Sequence, residues 1–314
     1  MLETPVAFFI FNRPRHTSIS FSEIKKQQPK KLFIVADGPR GSHPGDAEKV
    51  EETRRIIEEV NWPCELEFNF SSVNLGCRKR VITGLDWLFS KVDRAIIIED
   101  DIVPNPDFFE YCSLLLEKYK DRDEIMAITG DNFQDGMVRG EASYYFSKYA
   151  HIWGWATWAR AWKHNDPDIT FWPTFKKSKM WKALALSGNE KQYWEDVLDK
   201  MHAHQIDTWD YSWMASIWYQ GGLTITPNVN LVSNIGIGPE GTHLISPVEQ
   251  EGLPSRPLKI SAHPKIIQQD IKADMYAFKN HFGGSNIGTI PFIKKIPKKI
   301  NNRIKNLWNR IYEN

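Results

Sequence analysis

The chain has 314 residues, 41% hydrophobic and 25% charged, which excludes a disordered polypeptide and is long enough for one large α/β unit or for a nucleotide-binding unit fused to a smaller one. Its net charge of +1 is uneven: residues 290–314 hold seven lysines and arginines against the acid Glu313, so the rest of the chain is mildly acidic. That distribution argues against a general nucleic-acid binder, and no nucleic-acid partner is expected.

The first half alternates strand-like and helix-like patterns. Residues 6–11 form a short apolar run stopped by Asn12-Arg13-Pro14, and a helix is expected over 16–27. Residues 32–36 read as a second buried strand that ends in Asp37-Gly38-Pro39. Residues 46–60 have helical spacing and an acidic first turn that suits the helix dipole. Alternation over 65–70 predicts a strand, Asn74-Leu75-Gly76 a turn, and residues 78–89 a helix. Residues 95–98 form another buried strand that runs straight into Glu99-Asp100-Asp101. This rhythm predicts a doubly wound, mainly parallel sheet flanked by helices, and such sheets bind ligands at the carboxyl ends of their strands. Asn12-Arg13, Asp37-Gly38 and Glu99-Asp100-Asp101 all fall at those ends.

The second half is less regular. A strand is expected over 125–129, helices over 179–186, 190–204 and 212–219, and short strands over 223–226 and 230–233. Many of the 13 tryptophans lie between Trp153 and Trp218. Aromatic rings stack on the apolar faces of sugars, but a tryptophan-rich core accounts for any one of these residues at least as well. His202 and His204, two apart on an expected helix, should point away from one another and be structural. The cysteines Cys64, Cys77 and Cys112 lack metal-ligand spacing and read as free thiols. Residues 5–11 are too short for a signal-peptide core, and no stretch reaches the roughly 18 apolar residues of a membrane span, so a cytoplasmic protein is expected.

Consecutive acids after an apolar strand are costly unless they are solvated or neutralised. On an extended backbone Glu99 and Asp101 would face one way and Asp100 the other. One carboxylate could then hold Mn²⁺ or Mg²⁺, ions that favour few carboxylates plus phosphate oxygens, while a neighbour holds a ribose hydroxyl. Alternatively, Asp100 or Asp101 caps a helix that begins near Pro106.

The segment Ile96-Ile97-Ile98-Glu99-Asp100-Asp101-Ile102, followed by Pro104-Asn105-Pro106-Asp107-Phe108-Phe109-Glu110-Tyr111, resembles the Glu-Asp-Asp region of the N-acetylglucosaminyltransferase I family. Over residues 5–245 the resemblance implies a GT-A fold and an inverting, metal-dependent transfer of a sugar, N-acetylglucosamine by weak preference, from a UDP-sugar donor to a glycan or lipid-linked acceptor. It makes Asp101 the metal ligand and assigns Glu99 and Asp100 to the donor. It assigns Asn12 and Arg13 to the nucleotide, Asp37 to the uracil ring, and Arg78 and Arg80, in Asn74-Leu75-Gly76-Cys77-Arg78-Lys79-Arg80, to the nucleotide-sugar. In this plan residues 1–130 bind the donor, 131–245 supply the acceptor part and base of the same domain, 246–289 extend it, and 290–314 form a basic tail.

A sugar hydroxyl must lose its proton to displace a nucleoside diphosphate, and a carboxylate across the cleft is suited to take it. Thr208-Trp209-Asp210-Tyr211-Ser212-Trp213 resembles the family's Trp-Asp-Asp-Trp segment, with Tyr211 in place of the second acid. Asp210 is therefore the expected general base, although a helix N-cap is an ordinary alternative. Gly236 to His243 contains a literal G-x-G-x-x-G, but Pro239 and the lack of a following apolar helix argue against a dinucleotide fingerprint. It resembles instead the family's loop over the diphosphate, which places Thr242 and His243 near the donor. The Trp153-Gly154-Trp155 stretch is expected beside the donor sugar, with Gly154 allowing close approach and the rings shaping the acceptor pocket, while Trp158 and Trp162 suit a core; Asp131 and Asn132 are further acceptor candidates. In the tail, Ile300, Ile304, Leu307, Trp308 and Ile311 share one helical face against basic residues. Such a helix can lie on an anionic membrane, making the protein peripheral, or dock on the body of the protein. A sugar-phosphate nucleotidyltransferase is an alternative, but it needs a glycine-rich loop after the first strand. An inactive carbohydrate-binding protein is another.

Overall fold

The computed structural model describes residues 1–184, 188–236 and 253–282. The first half follows the expected rhythm: β1 (Val6–Ile10), α1 (Pro14–Gln27), β2 (Lys31–Ala36), α2 (Asp46–Arg55), a 3-10 turn (Ile56–Glu59), β3 (Glu65–Phe70), α3 (Cys77–Phe89) and β4 (Arg94–Glu99). Then come β5 (Ile102–Pro104), α4 (Pro106–Lys118), β6 (Ile125–Thr129), β7 (Tyr144–Ser147), β8 (Trp155–Trp158) and α5 (Ala159–Trp162). The remaining elements are α6 (Trp172–Phe175), α7 (Lys179–Leu184), α8 (Gly188–His202), α9 (Asp210–Tyr219), β9 (Leu223–Pro227), β10 (Val232–Asn234) and α10 (Ile271–His281).

Eight strands form one mixed sheet in the order β3-β2-β1-β4-β8-β6-β9-β7. The pairs β2–β3, β1–β2, β1–β4 and β6–β9 are parallel, and β8 and β7 run against the other strands. The sheet is thus mainly parallel and flanked by helices, as expected. β5 and β10 pair separately as a small antiparallel ribbon beneath the site.

Period-two alternation divides the core between the faces of this sheet. Val6, Phe8 and Ile10 of β1 turn to one side, with Phe21 and Ile24 of α1 and Phe108, Cys112 and Leu115 of α4. Ala7 and Phe9 turn to the other, where Val81, Leu85 and Leu88 of α3 pack. That second face continues into the aromatic region. There Trp155, Trp172, Trp181, Trp194, Trp213 and Trp218 are among the largest fully buried side chains. For these residues the core role is the one observed. Several indole N–H groups are anchored within the protein: Trp158 donates to the Leu116 carbonyl at 3.0 Å, Trp162 to Asp86 at 2.8 Å and Trp218 to the Lys148 carbonyl at 2.7 Å.

The stretch around Trp155 becomes β8, inserted antiparallel between β4 and β6. Gly154, just before it, has φ +61°, and a Cβ there would come within 2.8 Å of Val232 Cγ1. Glycine is needed at that position for packing against the β5–β10 ribbon. Among the described residues, no helix is long and apolar enough to cross a membrane.

Candidate functional site

β4 ends at Glu99, and the chain turns at Asp100 and Asp101 before β5. The alternation of an extended strand stops there, so the expected opposition of Asp100 to Asp101 is not found: Arg13 reaches both. Its guanidinium bonds to Asp100 and, at 2.9 Å, to Asp101 Oδ2. Asp100 is 2% exposed, and it also accepts from the Phe11 amide at 3.1 Å. Desolvation alone would lower the Arg13 pKa, but Asp100 and Asp101 outweigh it and raise it above the ordinary value. Removing one partner of such a buried pair typically costs about 3–5 kcal/mol, because the other charge is left uncompensated.

Neither Asp100 nor Asp101 caps α4; Asn105 does, accepting from the Asp107 amide at 3.1 Å. Glu99 is half-buried at the head of the cluster, and no hydrogen bond reaches its carboxylate from the described residues. Burial, then Asp101 and Asp100, push its pKa up to about 8 against the pull of Arg13, and Asp210 adds to the rise. One arginine therefore faces a surplus of carboxylates, a charge balance that a divalent cation would offset. Among the described residues, no group of at least three histidine, cysteine, aspartate or glutamate side chains is arranged to hold a metal alone. An ion such as Mn²⁺ or Mg²⁺ takes one or two protein carboxylates and completes its shell with phosphate and water. Glu99 and Asp101, whose Oδ1 has no hydrogen-bond partner among the described residues, are the groups suited to it.

Asp101 is roofed by the segment after β10. The Ile235 amide donates to the Asp101 carbonyl at 2.8 Å, and a Cβ on Gly236 would collide with the Asp101 carboxylate. A larger residue at 236 would require the Asp101 side chain to shift. Thr242 and His243, expected farther along this loop, lie outside the described residues, as does the tail 290–314.

Beside the acids, a narrow cleft of about 90 Å³ is lined by Phe11, Asp37, Asn74, Arg80, Glu99 and Asp100. Asp37 is 5% exposed and organises the cleft wall, accepting from the amides of Gly38 at 2.8 Å, Leu75 at 2.9 Å and Gly76 at 3.1 Å. Arg80 lines the cleft but donates to Asn69 at the end of β3, at 2.8 Å to its side chain. Arg78 turns to Asp168 at 2.7 Å and to the Pro167 carbonyl at 2.9 Å. His202 and His204 both approach Asp168 rather than diverging, at 3.4 Å to its carbonyl and 3.9 Å to its carboxylate. Asn12 donates to Asp46, which Arg40 and Asn12 hold down at about 2 despite desolvation.

Asp210 is the first residue of α9, pinned between Trp209 and Trp213, which are 3% and 0% exposed. It accepts from the Thr208 hydroxyl and borders a second cavity, of about 250 Å³. Asp131, Phe133, His151, Trp153 and Phe282 line it with Asp210. Asp210 adds to the rise of the Glu99 carboxyl and of the Cys77 thiol. Burial pushes Asp131 up to about 7, opposed by hydrogen bonds from the Thr129 hydroxyl and the Trp153 amide. Burial, reinforced by His281, pushes His151 down to about 3, so its imidazole is neutral.

Several expectations are corrected here. Trp155 is 1% exposed and packs on Trp209 at 5.7 Å, so its ring is core, not a wall for a sugar. Gly154 meets Val232 and Ile102. Asn132 braces the loop, donating to the Pro227 carbonyl at 2.6 Å and accepting from the Gln134 amide at 2.9 Å. Of the two rings expected in the acceptor pocket, Trp153 lines the cavity and Trp155 does not. Phe133, His151, Tyr193, His281 and Phe282 were not anticipated. The proximity of His151 to Trp153 in sequence was the one available signal, since His281 and Phe282 come from the far end of α10.

No protein-family model matches the sequence, and no curated protein matches it. Among solved structures, the chain is similar to a mannosyltransferase from Pyrobaculum calidifontis in complex with GDP-Man and Mn²⁺, at 14% identity and a TM-score of 0.34, over 50% of this chain and 46% of that one. The match thus spans about half the length of that mannosyltransferase. It is also similar to mouse xyloside xylosyltransferase 1 in its apo form, at 9% identity and a TM-score of 0.36, over 69% of this chain and 81% of that one. A third similarity is to an apo UDP-glucose pyrophosphorylase, at 10% identity and a TM-score of 0.37, over 71% and 90% of the two chains.

Proposed function

We propose that this protein is a metal-dependent, inverting glycosyltransferase that moves a sugar from a UDP-sugar to a hydroxyl of a glycan or glycolipid. The observation that carries this reading is a pair of cavities with separate linings. One lies at the carboxyl ends of β1, β2 and β4 beside surplus carboxylates, and the other holds Asp210, whose charge is felt at Glu99.

In this reading the cleft beside Asp37 takes one end of the nucleotide. It is too narrow for the whole donor, which would run along the strand ends toward Asp101. Asp101 and Glu99 would hold Mn²⁺ or Mg²⁺, which supplies charge stabilisation for the departing diphosphate. Arg13 holds Asp100 and Asp101 in position and offsets part of their mutual repulsion. Asp210 accepts the proton of the acceptor hydroxyl. The oxygen of that acceptor hydroxyl bonds to the anomeric carbon as the bond to the UDP oxygen breaks and the electron pair leaves with UDP. N-acetylglucosamine is the first sugar to test, on the resemblance at Glu99-Asp100-Asp101. A membrane-surface role for residues 290–314 belongs to the same proposal and rests on their basic amphipathic pattern alone.

The direct test is hydrolysis of UDP-sugars by the full chain with and without Mn²⁺. Hydrolysis should require the ion and fall by about 10²-fold or more in Asp101→Ala, a loss typical of removing a main electrostatic stabiliser. Ion-independent hydrolysis, or an Asp101→Ala variant of normal rate, would refute the metal assignment.

A further inference from the structure

The narrow cleft at the strand ends, of about 90 Å³, has an apolar side made by Phe9, Phe11, Val35 and Val81. Phe9, Val35 and Val81 are buried, and the half-buried Phe11 lies under the Arg40 guanidinium, 5.3 Å from its ring centroid. A space far below the roughly 300–1,000 Å³ of a drug-sized pocket takes one flat ring rather than two fused ones. An aromatic side chain at its edge is a stacking partner for a base.

Asp37, the acid expected at the uracil ring, already has both oxygens occupied. Oδ1 accepts from the amides of Gly38 at 2.8 Å and Leu75 at 2.9 Å. Oδ2 accepts from the Gly76 amide and from Asn74 Nδ2, both at 3.1 Å. Of the other polar groups in the cleft, Arg80 is spent on Asn69 and Thr83, and Asp100 on Arg13 and the Phe11 amide. Cys77 also lines it, but a thiol is only a weak donor. Asn74 differs from all of these. Its Nδ2 donates to Asp37 and, at 2.9 Å, to the Gly38 carbonyl. Both partners are acceptors, so flipping the amide would set Oδ1 against two oxygens. Oδ1 therefore faces the other way, with no hydrogen-bond partner among the described residues. The turn that carries it lies directly on Gly38, where a Cβ would collide with the Val73 backbone.

We propose that Asn74 Oδ1, rather than Asp37, reads the base of the donor by accepting the N3–H of a uracil or thymine ring. This deepens the proposed function and rests on its placement of one end of the nucleotide in this cleft. Uracil and thymine carry a proton at N3, whereas cytosine carries a lone pair there and would meet Oδ1 as acceptor against acceptor. An acceptor already held by its own amide needs no ordering when the base arrives. A site built to accept an N–H rejects an analogue that lacks it, because the acceptor is then left unpaired. Asp37 acts one step back, as a positioning residue that holds the turn 74–76.

The experiment is titration calorimetry of the full chain with UDP, dTDP, CDP, GDP and N3-methyl-UDP, each in Mn²⁺. UDP should bind at least about tenfold more tightly than CDP, GDP and N3-methyl-UDP, in which the donor is blocked. The tighter of UDP and dTDP tells uracil from thymine, since both carry the N3–H. In Asn74→Ala, UDP should weaken while CDP does not, which brings their ratio to within about threefold. A residue that only braced the turn would weaken both alike and leave the ratio unchanged. Thermal melts report whether the variant folds, and Asn74→Ser replaces it if it does not. If neither folds, wild-type binding of UDP against N3-methyl-UDP decides. Equal binding of UDP and CDP, equal binding of UDP and N3-methyl-UDP, tighter binding of GDP, or an unchanged UDP-to-CDP ratio in a folded variant would overturn the inference. UDP binding without discrimination overturns the role of Asn74 and leaves the donor reading standing, whereas binding of none of these nucleotides would sink both.

Discussion

The two cavities are built on opposite principles. At the strand ends the polar groups mostly satisfy one another: Asp100 is taken by Arg13 and Phe11, Asp37 by backbone amides, and Asp46 by Arg40 and Asn12. Glu99 stands apart, with no hydrogen-bond partner among the described residues, and is pushed up to about 8 by burial and neighbouring charge. In the cavity beside Asp210 the walls are aromatic and the acids few. The first arrangement holds charge in a fixed place, as a cation and a diphosphate require. The second offers apolar faces beside Asp131 and Asp210, which already accept hydrogen bonds from Thr129, Trp153 and Thr208. The comparison separates a rigid electrostatic end from a shape-selective end within one fold.

The largest effect expected from breaking this division is at Asp210. Asp210→Asn should lower the transfer rate by about 10²- to 10⁴-fold, the usual range for loss of a general base. A rate within about threefold of wild type in a kcat measurement would mean that another group takes the proton.

A smaller effect is expected at Asp131, in stability rather than rate. Burial holds its carboxyl up at about 7 in the folded chain, above the roughly 3.9 of an exposed aspartate. The neutral form therefore stabilises the fold fully below pH ~4, and that contribution is lost as pH rises through ~7. Asparagine cannot ionise. Asp131→Asn should therefore lose less stability than wild type between pH 5 and 8, by on the order of 2–3 kcal/mol, as read from urea unfolding. Parallel pH profiles would show that Asp131 ionises freely in the folded protein.

The two ends also differ in how far they could be read from sequence. At the strand ends each polar group directly follows an apolar run, and parallel topology gathers such positions at one edge. The order of Arg13, Asp37 and Glu99 was therefore enough to bring them together. What sequence could not supply was their pairing. The turn at Asp100-Asp101 cancels strand alternation, and Arg13 bridges both acids as a result. The aromatic end was less legible because packing, not spacing, decides which rings are walls. Trp155 and Trp153 are two apart, yet one is core and the other lines the cavity. Asn132 looked like a polar group available to a ligand, but a loop needs all that it can offer. Phe282 reaches the site only through the docking of α10, which no local pattern encodes.

The central claim is that the carboxylates after β4 hold a divalent cation where the donor diphosphate lies. Crystals of the full chain soaked with UDP and Mn²⁺ test it most directly, through the anomalous scattering of manganese. A single strong peak is expected within bonding distance of Asp101 and of the diphosphate oxygens. Bound UDP with manganese elsewhere, or with none, would contradict it.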